Sequence, residues 1–431
     1  MTHFGIICPA AIGHLNPMCA LGRELQKRGN QVTLFGIPDV RSKVTQSGLD
    51  LQIIGETEFP IGTLEQKYKQ LGEMKGLSGL KFTLSWLQQE MAMLLRELPE
   101  ALKAAGIEVL LVDQISTAGG TIADFLNLPF VTVCNALLVN REPGVPPFST
   151  GWSYNPAWWA RLRNQAGNFL IDRLTRSIRE LIARQRELWN LAPYSSILDF
   201  YSPLAQICQL PPGFDFPREQ LPSWFHYTGP LKDPSGLEPV SFSSISFPFE
   251  KLTGQPLIYA SLGTLQNRIR EIFQTIAEAC LEIDAQLVIS LGNPNSQESD
   301  LDLPGSPLVV PYAPHQQLIE KATLVITHAG MNTTLGALSS GVPLVAIPIT
   351  NEQPGIASRL AKTGAGEVVA VKDLNISRLG DAVRRVLAED SYKQNALRLQ
   401  DAIYRAGGLT RAADIIEEVA STGKPVLYRP S

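Results

Sequence analysis

The feature that most constrains this chain is an alternation written twice. Short apolar runs closed by Gly, Pro, Asp or Asn alternate with longer stretches whose apolar residues recur at helical spacing. In the first half the runs are 4–8, 31–36, 51–54, 109–112 and 130–134; in the second they are 257–261, 286–290, 308–311, 324–327, 344–348 and 367–371. Strands apolar on both faces belong in a parallel sheet covered by helices on both sides. The pattern therefore predicts an α/β protein with two Rossmann-like, doubly wound domains, and 431 residues is enough chain for two cores.

Between the halves the alternation stops. Thr228-Gly229-Pro230-Leu231 leads into Asp233-Pro234-Ser235-Gly236 and then an uncharged Ser/Phe-rich stretch, the composition of an interdomain linker. The predicted division is a domain over 1–227, a linker over 228–246, a second domain over 247–405, and a helical tail over 406–431 that packs back toward the first domain. Ligands of open α/β sheets bind beyond the carboxyl ends of the strands, so facing domains would share one cleft.

Charge narrows the partner. Against 41 Asp and Glu stand 37 Lys and Arg, a net charge of −4 without the basic surplus that nucleic-acid binding requires. Five cysteines with no CxxC spacing read as buried free thiols. No window offers the roughly 20 apolar residues of a membrane span, and the start of the chain lacks a signal-peptide pattern, so a cytoplasmic location is expected. One segment leaves a peripheral membrane contact open. Arg161 to Leu191 reads as one long amphipathic helix, with Arg161, Arg163, Arg173, Arg176, Arg179, Arg184 and Arg186 against Asp172, Glu180 and Glu187; an ordinary solvated face is the alternative.

Two strand ends carry most of the chemistry. After the first strand, Gly13 permits a turn, His14 is expected in the loop at the cleft rim, and Pro17 is expected in the first turn of the following helix. The helix dipole would favour a neutral imidazole suited to a general base, although a single structural hydrogen bond would also account for His14. Asp113, ending the 109–112 strand, is the candidate partner; it could instead cap the next helix, a role that Ser116 or Thr117 can also fill. In the second half, Thr327-His328-Ala329-Gly330-Met331-Asn332-Thr333 follows a strand and opens a helix, presenting backbone N–H groups and polar side chains suited to a diphosphate. Ser261-Leu262-Gly263-Thr264 supplies a second small loop for the same phosphates. Glu352 and Gln353 pair a carboxylate with an amide suited to sugar hydroxyls, and the stretch Tyr312, Ala313, His315 and Gln317 offers groups for a nucleobase. Asp300-Leu301-Asp302 is read as a chance DxD in a polar loop, and no metal site is expected.

Together these residues resemble the inverting nucleotide-sugar glycosyltransferases of the UDP-glycosyltransferase superfamily, whose fold is the two-domain GT-B. The block from Tyr312 to Gln353 matches their donor signature, which implies that His328, Asn332 and Thr333 bind diphosphate, within the turn that includes Gly330 and Met331, and that Glu352 and Gln353 bind sugar hydroxyls. Gly13-His14 resembles the family's base motif and Asp113 its partner. Val112-Asp113-Gln114, Cys134-Asn135-Ala136-Leu137 and the stretch 139–147 are similar to the bacterial zeaxanthin glucosyltransferases. The resemblance implies transfer of a hexose, glucose first, from a UDP-sugar to a hydroxyl of an apolar acceptor such as zeaxanthin, with no cofactor beyond that co-substrate. Asn135, Phe148 and Trp152 are the expected acceptor-side residues, with Tyr154, Trp158 and Trp159 adding aromatic surface for a pocket, a core or a membrane contact. Two departures leave a dTDP-sugar open: Gly336 stands where plant enzymes hold ribose with a glutamate, and Tyr312 stands for their stacking tryptophan. The other readings are a promiscuous flavonoid or phenol glucosyltransferase, a non-catalytic binder of apolar ligands and an NAD-dependent oxidoreductase; the last lacks its glycine fingerprint.

Overall fold

The computed structural model describes residues 1–74, 77–232, 247–263, 270–292 and 302–428. Thr264, Asp300, Leu301 and most of the expected linker lie outside them. The first sheet contains β1 (His3–Ile7), β2 (Gln31–Gly36), β3 (Asp50–Ile53), β4 (Val109–Asp113), β5 (Phe130–Cys134), β6 (Gln206–Cys208) and β7 (Phe225–Tyr227). The second contains β8 (Leu257–Ser261), β9 (Gln286–Ser290), β10 (Leu308–Val310), β11 (Leu324–Thr327), β12 (Leu344–Ala346) and β13 (Gly366–Val368). Every pairing is parallel, and the orders are β3-β2-β1-β4-β5-β6-β7 and β10-β9-β8-β11-β12-β13. Both sheets reverse their winding between the first and fourth strands, between β1 and β4 and between β8 and β11, and these two gaps are where a doubly wound sheet opens to a ligand.

The helices are α1 (Ile12–Lys27), α2 (Arg41–Gln46), α3 (Thr63–Glu73), α4 (Leu77–Ala105), α5 (Ala118–Leu126), α6 (Trp158–Leu174) and α7 (Arg176–Leu188) in the first half. In the second half follow α8 (Arg270–Cys280), α9 (His315–Lys321), α10 (Met331–Ser339), α11 (Gln353–Thr363), α12 (Ile376–Ala388), α13 (Asp390–Ala406) and α14 (Gly408–Thr422). Alternate residues of one strand serve different cores: Leu257 and Tyr259 join one buried cluster, Ile258 and Ala260 another, which is why β8 is apolar throughout. All five cysteines are buried and free.

Two local expectations are corrected. The first helix begins at Ile12, so Gly13 and His14 lie in its first turn and Pro17 sits a turn further in. The stretch read as one helix over 161–191 is two, broken at Thr175 between α6 and α7.

Several contacts hold the halves together, three of them extensive or deeply buried. Leu409, Ala412, Ile415, Ile416 and Val419 of α14 are buried in the core of the first sheet, and Arg28 bonds Asp414 and Glu417 at 2.7 and 2.9 Å. Where the chain crosses between the halves, the Thr228 carbonyl accepts a 2.7 Å bond from Gly408 N–H, so the outgoing and returning strands of chain touch. On α11, Arg359 is 1% exposed and donates to Asp215 of the first half at 2.6 Å, while Arg218 takes the other carboxylate oxygen at 2.8 Å. Removing Asp215 would leave two buried cations, a loss typically of about 3–5 kcal/mol.

Candidate active site

The cleft between the halves holds a cavity of about 1540 Å³. His14 and Asp113 meet in it because β1 and β4 are adjacent: Ile7 pairs with Val112, so the residues that follow them face one another. His14 Nδ1–H donates to Asp113 Oδ2 at 2.7 Å, which leaves Nε2 as the ring's free acceptor. The imidazole is 19% exposed and the carboxylate is fully buried. Asp113 caps no helix, since its second oxygen accepts from Ile115 N–H at 2.8 Å within its own turn; Thr117, at the start of α5, makes no side-chain cap either. The helix dipole is expected to favour the neutral imidazole, but the net shift runs the other way. Burial pulls the His14 pKa down, but Asp113, with Glu352 and Glu90 behind it, outweighs burial, and the net shift is upward.

Asn135, expected on the acceptor, lines the cavity and also supports the pair. Its Nδ2 donates to Asp113 Oδ2 at 2.7 Å and its Oδ1 accepts from Gln209 Nε2 at 3.1 Å. Gln209 in turn accepts from the Leu231 backbone N–H at 3.0 Å. A buried polar chain thus runs from His14 to the segment that leaves the first domain.

The second sheet repeats the geometry with different groups. Ser261 ends β8, and His328 follows β11, which pairs with β8 at Thr327 and Ser261. Gly263 and Gly330 flank the His328 ring so closely that a Cβ on either would stand 2.6 or 2.5 Å from it, and Gly263 has φ +73 besides. Ala329 between them adopts φ +64, at a cost of about 1 kcal/mol for a residue with a side chain. That strained turn aims the start of α10 at the cavity. Its N-cap, Gly330, supplies no side-chain cap, so the N–H groups of the first turn, from Met331 through Thr333, remain available to an anion. Burial holds the His328 pKa down at about 4, against a backbone hydrogen bond with Ser261.

The His315 pKa is equally lowered, to about 4, by burial and then by Lys232 and His328. Its Nδ1 accepts from the Tyr259 hydroxyl at 2.9 Å and its Nε2 donates to Thr333 Oγ1 at 3.1 Å, so it fixes Thr333 and has no ring nitrogen left to read a base. Tyr312 and Ala313 line the cavity, but Gln317 is exposed and does not; Gln316 is the glutamine that lines it. The α9 helix turns neighbouring residues by about 100°, so only one of the two glutamines can face inward. Glu352 lines the cavity at the N-cap of α11, close enough to His14 to raise its pKa. Gln353 also borders it, but its Oε1 accepts from Ile349 and Thr350 N–H, both at 2.9 Å, and so closes its own loop.

Asn332 crosses the cleft. Its Nδ2 donates to the Gly13 carbonyl at 3.2 Å. In a regular helix that carbonyl would accept from the residue four positions on, which is Pro17 and has no N–H. Pro17 thereby frees an acceptor in the helix that carries His14, and the turn opposite uses it.

Phe148 lines the cavity, whereas Trp152 does not: its ring packs on Gly167 and lies 4.7 Å from the Arg163 guanidinium, and its carbonyl accepts from Ser358. Tyr154 packs on Phe216, and Trp158 and Trp159 are exposed. The sequence reading missed the α3 and α4 wall, where Trp86, Leu87 and Met91 line the cavity beside Lys67 and Glu90. Burial raises the Glu90 pKa, with Lys67 and His14 opposing, and lowers that of Lys67 to about 8, its ammonium 4.1 Å from the Trp86 ring. The available signal was a single carboxylate at helical spacing among Trp86, Leu87, Met91 and Leu94.

Two doubly wound sheets that face one cleft with both winding reversals make the GT-B fold, and solved structures agree. The calicheamicin glycosyltransferase CalG4 superposes with a TM-score of 0.74 at 21% identity, covering 99% of this chain and 100% of its own. The glycosyltransferase VinC, solved with DTDP, gives 0.68 at 21%, covering 98% and 100%. Residues 89–405 match the family described as UDP-glucoronosyl and UDP-glucosyl transferase, and the chain belongs to that family. It is 36% identical over 429 residues to a zeaxanthin glucosyltransferase of Pantoea ananas, covering 99% of this chain and 98% of that one. To a second, from Pseudescherichia vulneris, it is 31% identical, covering 99% and 100%. Among the described residues no helix is long and apolar enough to cross a membrane.

Proposed function

We propose that this glycosyltransferase moves glucose from UDP-glucose to a hydroxyl of an apolar acceptor, a carotenoid such as zeaxanthin, with inversion at the anomeric carbon. The observation that carries the reading is the His14–Asp113 pair opening into a cavity whose first-domain wall is largely aliphatic and aromatic. In the proposed step His14 Nε2 takes the acceptor O–H proton and the acceptor oxygen bonds to the anomeric carbon. The bond from that carbon to the diphosphate oxygen breaks, and UDP leaves with the bonding pair. Asp113 keeps Nδ1 protonated and balances the imidazolium; such base assistance is typically worth about 10²–10⁴-fold. The start of α10 with His328, Asn332 and Thr333, and Ser261 opposite, would hold the departing diphosphate, and Glu352 the sugar hydroxyls.

The identity to the two zeaxanthin glucosyltransferases supports the acceptor class. One observation favours dTDP-glucose as a second donor: a side chain at Gly336 would point toward Gln316, its Cβ 3.6 Å from Oε1, and no carboxylate stands at this position to hold a ribose 2′-hydroxyl. A mass-monitored screen of UDP-glucose, UDP-galactose and dTDP-glucose against zeaxanthin and several polyphenols tests both. Glucosylated zeaxanthin from UDP-glucose is the expected product; turnover of polyphenols alone would overturn the acceptor assignment.

A further inference from the structure

Helix α6 turns an unusual face to solvent. Trp158 is 74% exposed, Leu162 56%, Phe169 70% and Leu170 58%. At 100° per residue these side chains, with Trp159, fall on one side of the helix, and monomeric proteins rarely leave so contiguous an apolar stripe uncovered. The stripe is flanked by positive charge. On α6 itself three arginines, Arg161, Arg163 and Arg173, oppose one acid in a chain whose net charge is −4. Asp172, the one acid of α6, is taken by Arg141 at 2.7 Å and Arg179 at 3.6 Å. Arg161 and Arg173 form no ion pair among the described residues.

The same helix borders the cavity. Ile171 and Leu174 line it, with Thr175 and Ile178 just beyond, and Leu174 is also 39% exposed. The outer apolar face and the inner cavity wall therefore meet at the end of α6.

We propose that this face of α6 docks on an anionic lipid surface, bringing the cavity mouth to the membrane so that an apolar acceptor enters without crossing water. Aromatic and aliphatic groups backed by arginines are the composition of an interfacial helix. A second copy of the chain fits this face less well. A two-fold contact would bring Arg161 and Arg173 toward like charges while the one acid of α6, Asp172, is already taken by Arg141 and Arg179, whereas lipid phosphates supply the missing charge. Docking stands on the surface alone; acceptor delivery rests on the apolar acceptor proposed above.

The test uses the full chain with vesicles of phosphatidylglycerol and phosphatidylcholine, with pure phosphatidylcholine vesicles for comparison. Co-sedimentation with the anionic vesicles, released by added salt, is expected. Trp158→Ser with Phe169→Ser should weaken it by about tenfold for each aromatic removed. Arg161→Glu with Arg173→Glu should abolish the preference for anionic lipid. Both variants should retain wild-type turnover of a water-soluble phenol and lose turnover of zeaxanthin dissolved in vesicles. A wild-type chain that stays in the supernatant at low salt overturns the proposal, as does a dimer that the Trp158→Ser, Phe169→Ser variant converts to monomer. Vesicle binding with no transfer to any apolar acceptor would leave docking standing and remove the acceptor assignment instead.

Discussion

The two halves use the same strand order to place a histidine at a winding reversal, and they give it opposite electrostatics. At the first reversal His14 has a buried carboxylate at 2.7 Å and its pKa moves up. At the second, burial dominates for His328 and for the neighbouring His315, and both fall to about 4. The sheet thus supplies only the location. The group beside the imidazole decides whether the site accepts a proton or offers a neutral hydrogen bond to an anion.

Exchanging the partner should break the contrast most severely. Asp113→Asn removes the charge that outweighs burial, so the pH at which kcat/KM rises as His14 loses its proton should move to lower pH. The maximal rate should fall by roughly 10²–10⁴-fold. A pH–rate profile reads both; an unshifted limb would contradict the pairing.

Acid stability distinguishes the halves next. A histidine whose folded pKa lies below its unfolded value of 6.5 contributes stability that is complete above pH 6.5 and lost as pH falls toward about 4. His315 and His328 should each cost roughly 3 kcal/mol over that window. His14 has the opposite sign: its contribution is present below pH 6.5 and lost as pH rises through its raised folded value. Urea unfolding of His315→Asn from pH 7 down to about pH 4 should show a shallower loss than wild type, and equal slopes would refute the contribution.

A smaller effect sharpens the first half alone. Gln209→Leu leaves Asn135 Oδ1 and the Leu231 N–H unpaired and loosens the support of Asp113. We expect kcat to fall about tenfold with donor KM unchanged. A change in donor KM alone would assign Gln209 to donor binding instead.

Much of this was legible because strand ends are punctuated. Bounds such as 31–36, 130–134, 257–261, 286–290 and 324–327 agree with the observed strands residue for residue, whereas the strand order that sets both winding reversals emerges only in the folded sheets. The three-residue strands β6 and β7 were invisible because Gln206 and His226 are buried polar residues that interrupt any apolar run. Periodicity names a helix but not which neighbour turns inward, which is why Gln317 was read for Gln316. Nor does composition reveal that a polar side chain is already satisfied: Asn135 and Gln353 look available until their partners, Asp113 and the Ile349–Thr350 backbone, are placed beside them.

In the proposed reaction the two reversals divide the labour, with proton transfer at the first and diphosphate binding at the second. Calorimetry with UDP on His14→Ala and His328→Ala, beside turnover of each, tests this division most directly. We predict that His14→Ala binds UDP like wild type while transfer is abolished, and that His328→Ala loses about tenfold or more in UDP affinity. Equal loss of UDP binding in both variants, or wild-type UDP affinity in His328→Ala, would contradict the account.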